Sequence, residues 1–169
     1  MKPIAHVAFA LLVAGAQASF LRFVGGGAFS LALLAPCLVY LGLNAGNVEG
    51  VLTAAAIGYV LDLLAGTPKG LMTFLGVALF LLSRAAGVAV DLRGRAAFGV
   101  LSGAGALFLS VGAMVLLRYV LPPEAAPGVR LLPRMLLEAF LTGFASPLVL
   151  IGMRAIDRRF HREEPGLLG

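Results

Sequence analysis

Charge is what this chain has least of. Asp, Glu, Lys and Arg together supply 12% of its residues, against 60% apolar ones. A soluble domain carries about 25% charged and roughly 45–50% apolar residues. A chain so poor in charge cannot wet its own surface, so a water-soluble domain is excluded and lipid is the expected solvent. Cysteine occurs once, as Cys37 inside an apolar run, which excludes a disulfide framework or a cysteine metal cluster and leaves a small buried hydrophobe. The two histidines, His6 and His161, lie near opposite ends of the chain. Neither stands beside a serine or cysteine in a motif that could form a nucleophile–base pair. The nucleophile elbow, the zinc helix, the P-loop and the dinucleotide fingerprint are all missing. No catalytic residue, metal ligand or cofactor is therefore expected. The net charge of +5 is not gathered into the stripe a nucleic-acid surface needs.

What is present is apolar length, with a mean hydropathy of +1.01. A helix crossing about 30 Å of hydrocarbon needs about 20 mostly apolar residues. Runs over 4–21, 28–43, 50–65, 71–90, 96–121 and 135–153 qualify, separated by charged or Gly/Pro-marked breaks. The expected architecture is all-α: a single six-helix membrane domain over 1–153, followed by a short polar tail over 154–169. The second and third runs are short for a bilayer and imply little tilt or local thinning.

Basic residues set the orientation. With both termini cytoplasmic, the inner segments hold Lys2, Arg93, Arg95, Arg154, Arg158, Arg159 and Arg162. The outer ones hold Arg22, Lys69, Arg130 and Arg134. The triplet Ala16-Gln17-Ala18 after Lys2 and an apolar stretch has the look of a signal-peptide cleavage site. Alanine-rich helices also generate such triplets by chance, and a retained first span is the reading adopted.

An ionisable side chain in a spanning helix costs about 2.5–3.5 kcal/mol at the midplane, so each needs a reason. Asp62, Arg118 and Glu138 fall near the outer ends of the third, fifth and sixth runs, level with Lys69 and Arg134. They read as a structural ion-pair layer in which opposite charges offset each other's desolvation. A partner contact and an ion or proton path are the two alternatives. Arg84 is expected to snorkel to the inner headgroups, Asn44 and Asn47 to satisfy loop backbone, and Gln17 to bond a neighbouring helix. Small residues at spacings of four, Ala10, Ala14 and Ala18 in the first run and Gly99 and Gly103 in the fifth, mark faces for close helix packing. Pro36 and Pro147 are expected to kink their helices.

Around Asp62 the chain reads Gly58-x3-Asp62-Leu63-Leu64-x-Gly66-x-Pro68-x-Gly70-Leu71, followed by the fourth apolar run. This resembles the rod shape-determining MreD family, which has a similar aspartate–glycine–proline–glycine turn between membrane helices. Chain length, number of spans, short loops and the polar tail are also similar. Lys69 departs from the apolar or small residue expected there. The resemblance implies a non-catalytic scaffold in the bacterial inner membrane, within the cell-elongation complex that guides peptidoglycan synthesis. It also implies an MreC-like single-span partner and, through it, RodA and penicillin-binding protein 2, besides membrane lipids. It further implies a bundle similar to the substrate-binding subunits of energy-coupling-factor vitamin transporters, and such a subunit is the alternative function. There Ala10, Ala14 and Ala18 would face a coupling subunit. The absence of Trp and the presence of only three Tyr argue against its aromatic-lined pocket.

Overall fold

A computed structural model describes residues 2–23, 32–65, 68–89, 94–120 and 131–161. Among these it is all-helical: α1 (Lys2–Phe23), α2 (Leu34–Asn44), α3 (Asn47–Ala65), α4 (Leu71–Ala89), α5 (Arg95–Val120) and α6 (Leu132–His161). The stretches Leu71–Val88, Ala96–Val120 and Leu132–Arg159 are long and apolar enough to cross a membrane, while α1 and α2 supply shorter apolar stretches.

The helix at the centre is the shortest. α2 is buried from Leu34 to Gly42 and packs on α4, α5 and α6. Its 11 residues make about 16 Å, roughly half a bilayer core, and its first helical residue comes later than the apolar run suggests. Because neighbours rather than lipid surround it, each of its ends must find polar partners within the protein. At the entry, the Ala32 N–H donates to Thr142 Oγ1 of α6 and the Leu33 N–H to Gln17 Oε1 of α1, both at 3.1 Å. At the exit, Asn44 Nδ2 donates to the Tyr40 carbonyl at 3.0 Å. Arg84 Nη1 donates to the Ala45 carbonyl at 2.8 Å, so this arginine caps α2 rather than only reaching for headgroups. Pro36 does not interrupt the helix. It lies in the first turn, where the missing N–H costs nothing.

Two antiparallel pairs surround this core. In the α3–α4 pair, small residues let the backbones approach. A Cβ on Gly76 would sit 3.4 Å from the Ala54 carbonyl, and the Phe80 ring lies over Gly50. In the α5–α6 pair, a Cβ on Gly99 would lie 3.2 Å from the Gly143 carbonyl. One on Gly103 would lie 3.0 Å from that of Ala139. The expected Gly99/Gly103 face is thus an internal seam. α6 runs through Pro147, which leaves the Gly143 carbonyl without its usual amide donor. The Ser146 hydroxyl supplies one at 2.8 Å. α6 also continues past 153 to His161, because residues 154–161 contain no Gly or Pro to stop it.

α1 closes the bundle against α3 and α6. Ala10 is buried, and Ala14 packs on the same core, so these members of the alanine face meet the protein's own helices. The side chain of Ala18 lies outside the described residues.

Candidate functional site

The turn between α3 and α4 is built around one carboxylate. Gly58 and Asp62, four residues apart, share the face of α3 turned to α4. At Gly58 the backbones touch: a Cβ there would lie 2.6 Å from Thr73 Cα and 2.7 Å from the Met72 carbonyl. One turn later, Asp62 is 2% exposed and reaches under the first turn of α4. Its Oδ1 accepts the Met72 N–H at 2.8 Å. Its Oδ2 accepts the Gly70 and Thr73 N–H groups at 3.0 and 3.1 Å, and the Thr73 hydroxyl at 2.8 Å.

These are amides that the start of a helix leaves without partners, held at the positive end of the helix dipole where an anion is favoured. Asp62 is therefore an N-cap supplied by the preceding helix. Gly70 adopts φ +96°, a left-handed conformation that suits glycine. The Pro68 carbonyl accepts the Leu71 N–H at 3.1 Å. Gly66 of the same motif lies outside the described residues.

The other members of the expected charged layer are placed differently. Arg118, in the last turn of α5, and Arg134, in the first turn of α6, are exposed, as is Lys69. Glu138 is half-buried and receives the Ser110 hydroxyl from α5 at 3.5 Å.

A second polar cluster, absent from the sequence reading, lies at the other end of the bundle. His6 of α1, Tyr40 of α2 and Asp157 of α6 converge there. His6 Nε2 sits 3.1 Å from Asp157 Oδ1, and the Tyr40 hydroxyl donates to Asp157 Oδ2. His6 and Tyr40 are buried. With Asn44, Glu49 and Thr53 they line a cavity of about 170 Å³, roomy and polar enough to hold water. His6 looked inert because its partners are 34 and 151 residues away. One signal was available: the buried positions Thr142, Ser146, Val149 and Met153 continue at helical spacing to Asp157.

The cluster ties three helices at one point, so its loss is expected to loosen α1. Asp157→Ala should lower stability by about 2–3 kcal/mol, since two buried donors lose a charged acceptor. Thermal unfolding in detergent would show it, with exposed Arg159→Gln close to wild type as control. Equal melting of the two variants would remove the cluster from the framework.

Among the described residues, no group of three or more His, Cys, Asp or Glu side chains is placed to hold a metal ion. No protein-family model, curated protein or solved structure matches the chain.

Proposed function

We propose that this chain is a six-span scaffold subunit of the MreD type, with both termini in the cytoplasm of a bacterial inner membrane. In this reading it holds an MreC-like single-span protein within the cell-elongation complex, alongside RodA and penicillin-binding protein 2. The observation that carries the reading is the use to which the Gly58–Asp62–Pro68–Gly70 motif is put. Its carboxylate and glycines build a rigid turn between two helices, which is scaffold work rather than chemistry. Crossing by the short α2 fits this reading, because a helix enclosed by protein does not need to match the bilayer with its own length.

The vitamin-transporter alternative draws less support. Its coupling face would need Ala10, which is buried against the protein's own helices. A vitamin pocket of a few hundred Å³ would be expected near the outer openings. The polar cavity of about 170 Å³ lies at the opposite end from the Asp62 turn.

Co-purification tests the proposal. Tagged wild-type protein, co-expressed with a single-span, coiled-coil periplasmic partner of the MreC type, should retain that partner through detergent extraction. A chain that retains no such partner yet binds a vitamin tightly would overturn the scaffold reading.

A further inference from the structure

The outer side of the α5–α6 pair is open. A groove of about 790 Å³ runs along it, walled by Val100, Ala104 and Leu107 on α5 and by Leu136, Phe140 and Phe144 on α6. Two of its large side chains are bare, Phe140 being 73% and Phe144 83% exposed. The groove's length is informative. Its lining spans positions 96 to 107 on α5 and 136 to 147 on α6, about 16 Å on each helix at ~1.5 Å per residue. That is one leaflet of a hydrocarbon core about 30 Å thick. A partner helix crossing the membrane would need a track through both leaflets, whereas one acyl chain needs a track of this length.

Charge lies beyond one end of it. Helical geometry at ~100° per residue puts Arg154 and Arg158 within about 20° of the direction of groove-lining Pro147. Both arginines are exposed. Since α5 and α6 are antiparallel, α5 begins at this same end, at Arg95, with the positive end of its dipole. Arg159, also exposed, points about 120° away from Pro147. The groove opens at the start of the apolar stretch of α5. Arg154 and Arg158 stand 7 and 11 residues past Pro147, about 10 and 16 Å further along α6. An apolar channel one leaflet long is thus followed by positive charge, as a lipid's apolar tail is followed by an anionic head.

We propose that the α5–α6 groove binds an anionic phospholipid from the leaflet at the C-terminal end of α6. The acyl chain lies between Val100–Ala104 and Phe140–Phe144, and the phosphate lies past the groove's mouth, toward Arg154 and with Arg158 one turn further out. This site requires only that α5 and α6 cross the membrane, and it stands apart from the scaffold assignment.

The test uses the purified full-length chain in neutral detergent with equal amounts of phosphatidylglycerol and phosphatidylcholine of the same acyl composition. Retained lipid is counted by native mass spectrometry. Wild type should retain phosphatidylglycerol in preference. Arg158→Gln should cut that preference about fivefold, and the Arg154→Gln/Arg158→Gln pair about 25-fold, the weight of one and two arginines near an anionic surface. The single variant is included because Arg154 also acts electrostatically on Tyr40. Arg159→Gln removes the same charge from another face and should leave the preference intact. Ala104→Phe, at an exposed position in the groove, should displace both lipids while melting like wild type.

Equal retention of the two lipids by wild type would overturn the proposal. So would a loss of preference in Arg159→Gln matching that in Arg158→Gln. Undiminished lipid in Ala104→Phe would do the same, including the case in which that variant releases a partner helix instead.

Discussion

Asp62→Ala is expected to lower the stability of the protein by about 3–5 kcal/mol, through the start of α4. The substitution leaves the amides of Gly70, Met72 and Thr73 and the Thr73 hydroxyl without the acceptor they share. Each buried donor left unsatisfied costs about 1–3 kcal/mol, and relaxation of the turn recovers part of the total. Asn at the same position keeps one acceptor oxygen but turns the other into a donor facing donors, so Asp62→Asn should fall between wild type and Ala. Thr73→Val removes the hydroxyl alone and should cost about 1 kcal/mol. Thermal unfolding in one detergent would rank the four proteins. If Asp62 served chiefly as an exposed contact for a partner, Asp62→Ala would melt with wild type and lose only the partner.

The second large effect comes from a single methyl group. Gly58→Ala places its Cβ against backbone atoms, Thr73 Cα at 2.6 Å, the Met72 carbonyl at 2.7 Å and the Thr73 nitrogen at 2.9 Å. No side-chain rotation relieves such contacts, so α3 and α4 must separate near the turn, and Asp62, one turn along, loses its bonds. Overpacking of this kind costs about 1–3 kcal/mol, and loosening the cap adds to it. Elsewhere the same change has the opposite sign, because alanine favours a helix over glycine by about 1 kcal/mol. Gly15, with nothing within 4 Å of its Cβ position, provides that comparison. Gly15→Ala should melt at or above wild type and Gly58→Ala well below it. A Gly58→Ala protein as stable as wild type would mean that the α3–α4 contact is looser than described.

The two variants bear on what the sequence can disclose. The apolar runs and most of their breaks are legible because lipid imposes a length and charge marks the ends. The Gly58–Leu71 stretch is legible as a turn, since glycine and proline punctuate it. The role of Asp62 is not, because a cap delivered from one helix to the next depends on how closely the two approach. Position along the chain suggests a layer of opposite charges, and what it cannot show is that Asp62 also meets three backbone amides and a hydroxyl 8 to 11 residues ahead.

The enclosed setting of α2 is hidden for a related reason. Its hydropathy is that of a lipid-facing span, and burial among helices demands the same apolar residues. The His6–Tyr40–Asp157 cluster is the least legible feature. Its members are ordinary in their local settings, and Asp157 sits in a basic stretch that reads as a tail. Only the continuation of α6 to His161 brings it back over the core.

The proposed threading, six times through a membrane with the Asp62 turn on the outside, is tested most directly by site-directed labelling. With Cys37 replaced by Ala, single cysteines are introduced as Lys69→Cys, Gly46→Cys and Gly94→Cys, all at exposed positions between helices. In intact spheroplasts a membrane-impermeant maleimide should modify the protein carrying Lys69→Cys at once. Those carrying Gly46→Cys and Gly94→Cys should react only after lysis. Labelling of the Gly46→Cys or Gly94→Cys protein in intact spheroplasts, or protection of the Lys69→Cys protein until lysis, would contradict the six-span arrangement.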